Sequence, residues 1–320
     1  MVLILLAAYN GEAYIKAQIE SIQAQSYQKW NLVIRDDCST DGTLQIIDEI
    51  TAEDPRVFVL ENQGTNLGAI RNFGVLMEFA VSKNSDYIFF ADQDDVWMPL
   101  KLQTMLEVFK SKEALYGSSL PQLIYSDLSV VSEELVEISP SMMQYQRIGH
   151  EEEGGWKVLA VQNFVTGCSM AINHSLLRMT VPLPQGIVMH DWWIALYASV
   201  LGRITFIDKP LVQYRQHSKN QVGAKSLWGS LNPFRNSLLD SWKRGQKNML
   251  LVQRQAGLLA TILRADAVSD VRYDLLNAFS TICELPKLKR FKIIGKEKLH
   301  RQHWLLQSVL CCRIFMLPKK

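Results

Sequence analysis

The sequence predicts an α/β protein with a mostly parallel central sheet and flanking helices, followed by a C-terminal helical extension. Three observations predict this class. Apolar runs alternate with stretches of helical periodicity through the first 110 residues. The runs are continuously apolar, which is typical of parallel strands that are buried on both faces. From residue 226 onward the patterns are helical throughout, so the sheet is expected in the earlier part of the chain.

The first two strand–helix units lie near the N-terminus. Val2–Ala8 is a continuous apolar run that ends at a turn signal over residues 9–11. Isoleucines then recur at helical spacing over residues 15–22. A second strand over residues 32–34 is followed by capping residues and by a helix over residues 44–50. Each unit therefore has the order expected of a doubly wound sheet.

Two further units repeat this order. A third strand covers residues 57–60, and a helix covers residues 70–80. The fourth strand, residues 87–91, is rich in aromatic residues and is predicted to be buried. A helix begins near Pro99, where proline favours the first turn. Four such units in succession favour a single open sheet with helices packed against it.

The pattern becomes looser after residue 110. Short strands are predicted over residues 123–125, 166–173, 204–207 and 211–214. A helix is predicted over residues 192–200. Residues 132–155 are polar and weakly periodic, so they are interpreted as a mobile loop that faces an acceptor.

Composition narrows the class of protein. The chain has 320 residues, of which 48% are hydrophobic, and this is enough for a sizeable core. Its net charge of +2 makes no case for a nucleic-acid partner. The odd number of cysteines, with no zinc-ligand spacing, fits a reducing compartment. Because no apolar run is long enough to cross a bilayer, the sequence predicts a cytoplasmic protein.

Polar residues follow each of the first four strands at the point where the strand ends. They are Tyr9 and Asn10, then Asp36 and Asp37, then residues 66–71, and then Asp92 to Asp95. In a parallel sheet these strand ends lie at one edge, where ligands bind in open α/β folds. The sequence therefore predicts a ligand site built from these four clusters.

The fourth cluster carries three carboxylates within four positions: Asp92, Asp94 and Asp95. Crowded carboxylates repel one another, and a cation relieves that repulsion. Oxygen ligands suit Mg²⁺ or Mn²⁺, and Mg²⁺ commonly bridges carboxylates to phosphates. The cluster thus indicates a metal site for a phosphorylated ligand. The alternative is a solvated acidic turn that caps the helix near Pro99.

Six short motifs together resemble the family-2 glycosyltransferases of the GT-A fold. The motifs are Ala8-Tyr9-Asn10-Gly11, Asp36-Asp37-Cys38-Ser39-Thr40-Asp41-Gly42, Asn66-Leu67-Gly68 with Arg71-Asn72, Asp92-Gln93-Asp94-Asp95, His190-Asp191-Trp192-Trp193 and Tyr214-Arg215-Gln216-His217. The resemblance covers roughly residues 1–223 and leaves residues 224–320 as a helical region. Within the family, the chain looks most like bacterial rhamnosyltransferases of cell-wall or surface polysaccharide synthesis. It departs from the family at Cys38, where glycine is usual and a positive φ would strain a larger residue.

The resemblance implies an activity and a set of site residues. It implies inverting transfer of a sugar from a nucleotide diphosphate to a hydroxyl of a saccharide or lipid-linked glycan. The donor it implies is dTDP-L-rhamnose, with a UDP-sugar as the alternative. The implied nucleotide-sugar contacts are Ala8, Tyr9, Asn10, Asp36, Asp37, Arg71, Asp92, Gln93 and Arg215. The implied ligands of a divalent Mn²⁺ or Mg²⁺ ion are Asp94 and His217.

The same resemblance assigns roles to the acceptor side. Asp191 is the implied general base, and Trp192 and Trp193 are the implied acceptor contacts. Simpler roles remain open at this level. Asp191 also suits the N-terminus of a helix, and a histidine such as His217 in a polar loop is often only solvated. The choice between Asp36 and Asp37 as the base contact is open as well.

Other classes of protein predict other features. A nucleotidyltransferase would usually carry a Gly-rich, basic phosphate loop after the first strand, where residues 9–12 read Tyr-Asn-Gly-Glu. A processive synthase would add membrane spans and a Gln-x-x-Arg-Trp signature, and neither is present in the sequence. A nucleotide-binding scaffold would have no need of Asp191 or His217.

The end of the chain is basic and then apolar. Six lysines and arginines lie within residues 287–298, and an apolar stretch covers residues 304–317. One interpretation is an interfacial anchor on an anionic leaflet, which would place the protein at the inner face of the membrane. The other is a pair of helices that simply pack on the domain.

Overall fold

A computed structural model describes residues 1–218, 220, 238–265, 271–295 and 298–317. The chain divides into two compact units. The first unit comprises Met1–Met143, Val165–Leu183 and Leu201–Ala224, and the second comprises Gln144–Phe164, Pro184–Val200 and Lys225–Lys320. The predicted domain boundary between residues 223 and 224 lies outside the described residues and stays a prediction.

The described part of the first unit contains one nine-stranded sheet. Its strands are β1 (Val2–Ala8), β2 (Trp30–Asp36), β3 (Val57–Val59), β4 (Tyr87–Asp92), β5 (Val96–Trp97), β6 (Gln122–Val131), β7 (Glu137–Ser139), β8 (Met170–Asn173) and β9 (Arg203–Arg215). The strand order is β3-β2-β1-β4-β8-β6-β9-β5, and β7 pairs with β6. The first four strands are parallel to one another. β8 is antiparallel to both β4 and β6, so β6 runs in the same direction as β4. Because β9 is parallel to β6, six strands run in one direction. The predicted mostly parallel sheet is confirmed.

The register of the central strands follows from their burial. Leu3, Ile4, Leu5 and Leu6 of β1 are at most 1% exposed, as a strand between two parallel neighbours should be. Ala8 pairs with Asp36 of β2 in this register, and Ala7 pairs with Asp92 of β4. The three strands therefore end together, which brings their polar termini to one edge.

Several strand predictions were wrong in extent. Of the strand predicted over residues 166–173, only Met170–Asn173 forms a strand, because Gly167–Ser169 form a 3₁₀ helix. The strands predicted over residues 204–207 and 211–214 form the single strand β9, and β6 extends beyond residues 123–125. The β6–β9 pairing is irregular around Ser126, Asp127 and Ser129. Polar residues at these buried positions break the apolar pattern, but they do not break the strand.

The described helices are α1 (Ile15–Gln23), α2 (Thr43–Glu53), α3 (Ala69–Ser82), α4 (Lys101–Tyr116), α5 (Met142–Gln146), α6 (Gly155–Leu159), α7 (His174–Thr180), α8 (His190–Leu201), α9 (Leu238–Ala265), α10 (Val271–Ser280), α11 (Lys287–Arg290) and α12 (Trp304–Met316). Residues 132–155, predicted from the sequence to form a mobile loop that faces an acceptor, contain β7 and α5. Asp127 helps to order this stretch, since its carboxylate accepts hydrogen bonds from Ser141 Oγ (2.5 Å) and Met143 N (3.2 Å).

In the described part of the second unit, the regular elements are helices, as predicted for the end of the chain, apart from one isolated bridge between Ile294 and Leu299. Its core includes Leu259 and Leu263 of α9 with Leu276 and Phe279 of α10, all fully buried. The predicted apolar positions 228 and 234 lie outside the described residues. Among the described helices, none combines the length and the hydrophobicity of a bilayer span.

Candidate active site

The loop after β1 is held by a side chain that follows β4. Tyr9 N donates to Gln93 Oε1 at 2.7 Å, and Gln93 Nε2 donates to Tyr9 O at 2.9 Å. A side chain at Gly11 would collide with this amide. The Tyr9 side chain is left 48% exposed. Gln93, predicted to contact the nucleotide, thus braces the backbone that presents Tyr9.

Asp36 organises the turn after β2. Its carboxylate accepts hydrogen bonds from Ser39 N (2.8 Å) and from Ser39 Oγ. Ser39 Oγ also accepts from Asn10 N at 2.8 Å, and so the ends of β1 and β2 are joined. Cys38, inside this turn, has φ of +66°, which is the strained conformation expected where glycine is usual.

Asp37 is buried beside Arg35. Arg35 Nη1 lies 3.0 Å from Asp37 Oδ1, and the two side chains are only 4% and 3% exposed. The carboxylate also accepts from Leu67 N (2.8 Å) and Gly68 N (2.7 Å), just before α3. A carboxylate at a helix N-terminus is favourable. Asp37 therefore sets the start of α3, whose first turn carries the exposed side chain of Arg71.

Two residues predicted as metal ligands meet in the structure. His217 Nε2 lies 2.8 Å from Asp94 Oδ2, although 123 positions separate the two residues. Their side chains are 6% and 16% exposed, respectively. Asn220 Nδ2 is 3.4 Å from the same oxygen. The acidic strand end and the loop after β9 thus form one polar cluster.

Arg215 connects β9 to this cluster. Its backbone N donates to Asp95 Oδ1 at 3.1 Å, and its Nε donates to Asp94 O at 2.8 Å. Its Nη1 donates to Glu133 O. The side chain is buried at 6% exposure. Arg215, predicted to assist the departing diphosphate, therefore also fixes the backbone around both aspartates.

Tyr14 and Glu133 belong to this cluster and were missed by the sequence reading. The Tyr14 ring stacks on His217 with centroids 4.7 Å apart, and Tyr14 Oη donates to Glu133 Oε1. Burial and then this hydrogen bond raise the pKa of Tyr14 to about 12. Tyr14 thus stays protonated and holds the imidazole ring. Because Glu133 is 119 positions away, no local pattern could indicate the contact.

Four side chains lie together at the end of β4: Asp95, Lys101 and Cys168 are buried, and Asp92 is half-buried. Asp95 and Lys101 are fully buried. Burial, and then the charges of Asp94 and Asp92, raise the pKa of Asp95. Lys101 Nζ donates to Cys168 O at 2.5 Å, and burial lowers the pKa of Lys101 to about 7. The sequence reading missed Lys101 and Cys168, because a lysine in a helix is usually exposed.

The acceptor-side candidates belong to the second unit. Asp191 is in the first turn of α8, and its Oδ1 accepts from Trp192 N at 2.6 Å. Asn163 Nδ2 lies 3.4 Å from its Oδ2. Trp192 Nε1 donates to Leu159 O at 2.6 Å, whereas Trp193 is only 1% exposed. Asp191 has the surroundings of a helix N-terminal anion, and its role as the base stays a prediction.

Comparison with known proteins decides the family. Residues 3–173, more than half of the chain, match the family model described as glycosyl transferase family 2. The chain belongs to glycosyl transferase family 2. It is 31% identical to the dTDP-rhamnosyl transferase RfbG of Shigella flexneri over 223 residues, which are 68% of this chain and 74% of RfbG. This membership decides against the nucleotidyltransferase alternative.

Other relatives match over shorter stretches. The putative teichuronic acid biosynthesis glycosyltransferase TuaG of Bacillus subtilis is 31% identical over 127 residues. That alignment covers 40% of this chain and 49% of TuaG, so the chain spans about half the length of that relative. Among solved structures, S. aureus TarS 1–349 in complex with UDP-GlcNAc matches with a TM-score of 0.57 and 17% identity. The match covers 87% of this chain and 71% of TarS 1–349, and it confirms the GT-A fold.

Two groups of side chains in the glycosyltransferase offer possible metal ligands. Ligand atoms of Asp92, Asp95 and Cys168 all lie within 4.8 Å of one another. Burial raises the pKa of the Cys168 thiol, and a protonated sulfur is a poor ligand for Mg²⁺ or Mn²⁺. Asp94 and His217 instead offer an oxygen and an imidazole nitrogen 2.8 Å apart, and Asp94 is partly exposed. The second pair fits a divalent cation that also contacts a substrate.

Proposed function

We propose that this glycosyltransferase moves L-rhamnose from dTDP-L-rhamnose to a hydroxyl of a saccharide or lipid-linked glycan in surface polysaccharide synthesis. One observation carries the proposal of a nucleotide-sugar site. The exposed ring of Tyr9 and the Asp94–His217 pair both lie at the strand-end edge of one sheet. An aromatic face suits a nucleobase, and a carboxylate beside an imidazole suits a cation that meets a diphosphate.

The choice of donor is supported by relatives. RfbG is named a dTDP-rhamnosyl transferase and is matched over 74% of its length. The alternative, a UDP-sugar, has narrower support. WfaP of Escherichia coli is named a UDP-Glc glucosyltransferase and is matched over 45% of its length. The longer match favours the rhamnosyl donor.

Each of the residues described above has a separate role in the proposed reaction. Tyr9 stacks on the base, and the turns held by Asp36 and Asp37 border the nucleotide. Arg71 reaches the donor from the first turn of α3. A divalent cation, when bound by Asp94 and His217, would supply positive charge opposite the diphosphate leaving group. Tyr14 and Arg215 hold the imidazole and the acidic loop in place.

Asp191 acts on the acceptor in this proposal. It removes the proton of the attacking hydroxyl while that oxygen bonds to the anomeric carbon from the face opposite the diphosphate. The bond from the anomeric carbon to the diphosphate breaks, the diphosphate leaves with the electron pair, and the configuration is inverted. A positioned general base contributes about 10²–10⁴-fold to such a step. Trp192, which is less buried than Trp193, is the proposed acceptor contact.

A panel of donors tests the proposed function. The chain is incubated with dTDP-L-rhamnose, UDP-glucose or UDP-GlcNAc, with and without Mn²⁺, and released nucleotide diphosphate is measured. We expect dTDP-L-rhamnose to give the highest kcat/KM and Mn²⁺ to raise it. A higher kcat/KM with either UDP-sugar would overturn the proposal that dTDP-L-rhamnose is the donor. Binding of donors without turnover on any acceptor tested would support a nucleotide-binding scaffold instead.

A further inference from the structure

The end of the chain differs sharply in charge from the rest. Ten of the chain's 34 lysines and arginines, but only one of its 32 acidic residues, follow Leu285. The one acidic residue is Glu297. Since the whole chain has a net charge of only +2, the remainder is acidic. The last 35 residues therefore carry a concentrated positive charge of a kind that attracts anionic surfaces.

An apolar groove opens beside α12 in the same segment. It has a volume of about 480 Å³, and its lining includes Phe291, Cys311, Cys312, Phe315 and Met316. Phe291, Phe315 and Met316 are 42%, 38% and 61% exposed. The two phenylalanine rings stack with centroids 5.9 Å apart. Contiguous exposed apolar side chains of this kind mark an interaction site.

A buried arginine holds the C-terminal end of α12, the helix that supplies most of the groove's lining. Arg290 is 1% exposed. Its Nη1 donates to Ile314 O (2.9 Å) and Leu317 O (2.7 Å), at the C-terminal end of α12. Its Nη2 donates to Cys283 O at 3.0 Å. A cation that satisfies the last carbonyls of a helix stabilises that end, so the groove exists before any partner arrives.

Four exposed lysines belong to the same segment as the apolar groove, and one of them lies beside it. Lys287, Lys289, Lys292 and Lys298 are all exposed. Lys287 Nζ lies 4.9 Å from the centroid of the Phe315 ring, which places positive charge directly beside the groove. Within the described residues, no salt bridge joins any of these four lysines to a carboxylate. Their charge is available to an outside partner.

We propose that this surface, formed by α11, α12 and residues 291–295, binds the face of a membrane that is rich in anionic phospholipid. An acyl chain enters the groove, and the lysines meet lipid phosphates. Trp304, 70% exposed at the start of α12, is of the residue type that prefers the interfacial region. The apolar groove favours lipid over nucleic acid, because a nucleic-acid backbone offers nothing to bury Phe315 or Met316.

Vesicle sedimentation with the full chain tests the proposal. We expect binding to vesicles of phosphatidylglycerol and phosphatidylcholine, and little binding to phosphatidylcholine alone. The double variant Lys287→Ala/Lys289→Ala should weaken binding about 25-fold, because each basic residue near an anionic surface contributes about fivefold. Phe315→Asp should weaken it at least about tenfold, through lost apolar burial and added negative charge.

Matched controls lie on the first unit. Leu115→Asp changes an apolar residue that is 66% exposed, and Lys110→Ala changes an exposed lysine. Both should bind vesicles as the unaltered chain does. Circular dichroism and donor turnover on a soluble acceptor report whether Phe315→Asp remains folded and active. These readouts keep a failure of the membrane proposal separate from a failure of the proposed function.

Three results would overturn the proposal. Equal binding to both kinds of vesicle would show that anionic lipid is not recognised. Unchanged binding by folded Phe315→Asp would show that the groove takes no acyl chain. If light scattering shows a dimer that Phe315→Asp dissociates, and neither form binds vesicles, the groove is an interface between two copies of the chain.

Discussion

The two units of this glycosyltransferase place their charges differently. In the first unit, polar and charged side chains pair with one another: the buried Arg35 with Asp37, and the partly exposed Asp94 with His217. In the described part of the second unit, the buried Arg290 donates to backbone carbonyls. His190 is also buried there, and burial lowers its pKa to about 3, so its ring is neutral at pH 7.

Buried and exposed charges have different effects on the fold. Burying an ion pair removes both groups from water, and the attraction between them offsets that loss only when the geometry is good. Such pairs hold strand ends and loops in one arrangement, which a site for a diphosphate requires. Exposed lysines keep their hydration and contribute little to stability. They remain available to a partner, as does Lys287 beside Phe315.

The largest effect is expected at Asp191, the one carboxylate of the second unit to which a chemical role is assigned. Asp191→Asn should retain donor binding and lower turnover by about 10²–10⁴-fold, the contribution of a positioned base. Calorimetry measures donor binding, and the kcat with an acceptor measures turnover. Asp274→Asn is the matched control, since Asp274 also lies in the first turn of a helix, α10. Turnover at the unaltered rate would rule out the base assignment.

Buried and partly exposed ion pairs of the first unit should differ in how much they contribute to the free energy of unfolding. Arg35→Met leaves Asp37 buried without its cation, and we expect a loss of about 3–5 kcal/mol in the free energy of unfolding. Arg56 pairs with Asp54 at 31% exposure, so Arg56→Met should lose only about 1 kcal/mol. Urea unfolding at one pH measures both. Equal losses in the free energy of unfolding would contradict the distinction between buried and partly exposed pairs.

The Asp94–His217 pair is expected to act through a cation. Asp94→Asn keeps the shape of the side chain but removes its charge, and turnover should fall by about 10²–10³-fold. Donor affinity, measured by calorimetry, should no longer increase when Mn²⁺ is added. Asp48→Asn, at an exposed position of α2, should behave as the unaltered chain. Retained Mn²⁺ dependence in Asp94→Asn would place the cation elsewhere.

Tyr14 is expected to act through His217. Tyr14→Ala removes the stacked ring and should raise the Mn²⁺ concentration needed for half-maximal turnover by about tenfold, as loss of a supporting contact does at other metal sites. Tyr14→Phe keeps the ring and loses only the hydrogen bond to Glu133, so its effect should be smaller. If the two variants behave alike, the stacking is not what positions the imidazole.

The smallest effect concerns the neutral His190. The pKa of His190 is about 3 in the folded chain, whereas the ordinary pKa of histidine, taken for the unfolded chain, is 6.5. As the pH falls, the unfolded chain therefore takes up a proton first. Stability should therefore decrease with falling pH between these two values. His190 should contribute about 1 kcal/mol of this loss between pH 6.5 and 5.5. In His190→Phe, the free energy of unfolding measured with urea should change by about 1 kcal/mol less between these two pH values than it does in the unaltered chain.

The central part of the sheet and its active edge could be predicted from local patterns. β1, β2 and β4 are continuous apolar runs, and polar residues follow each of them. Such runs are stable only when buried between parallel neighbours, and parallel neighbours end at one edge. Tyr9, Asp36 and Asp94 were therefore expected at a common edge before any contact was known.

The partners of these residues could not be predicted in the same way. Antiparallel pairing of Val96 with Gln213, and of Trp97 with Val212, joins β5 to β9. This pairing carries Arg215 and His217 to Asp94, across more than 100 positions of sequence. The same long-range packing buries Lys101 beside Cys168. The residues next to a side chain in the sequence do not indicate such long-range contacts.

Local sequence patterns predict the first four strands with the helices that follow them, the polar strand ends and the basic C-terminal segment, because each depends on residues close together in the chain. The pairing and the burial of the carboxylates, and the side chains that hold them, follow from the packed fold alone. Those outcomes depend on strand register and on desolvation, and both arise only when distant parts of the chain pack together.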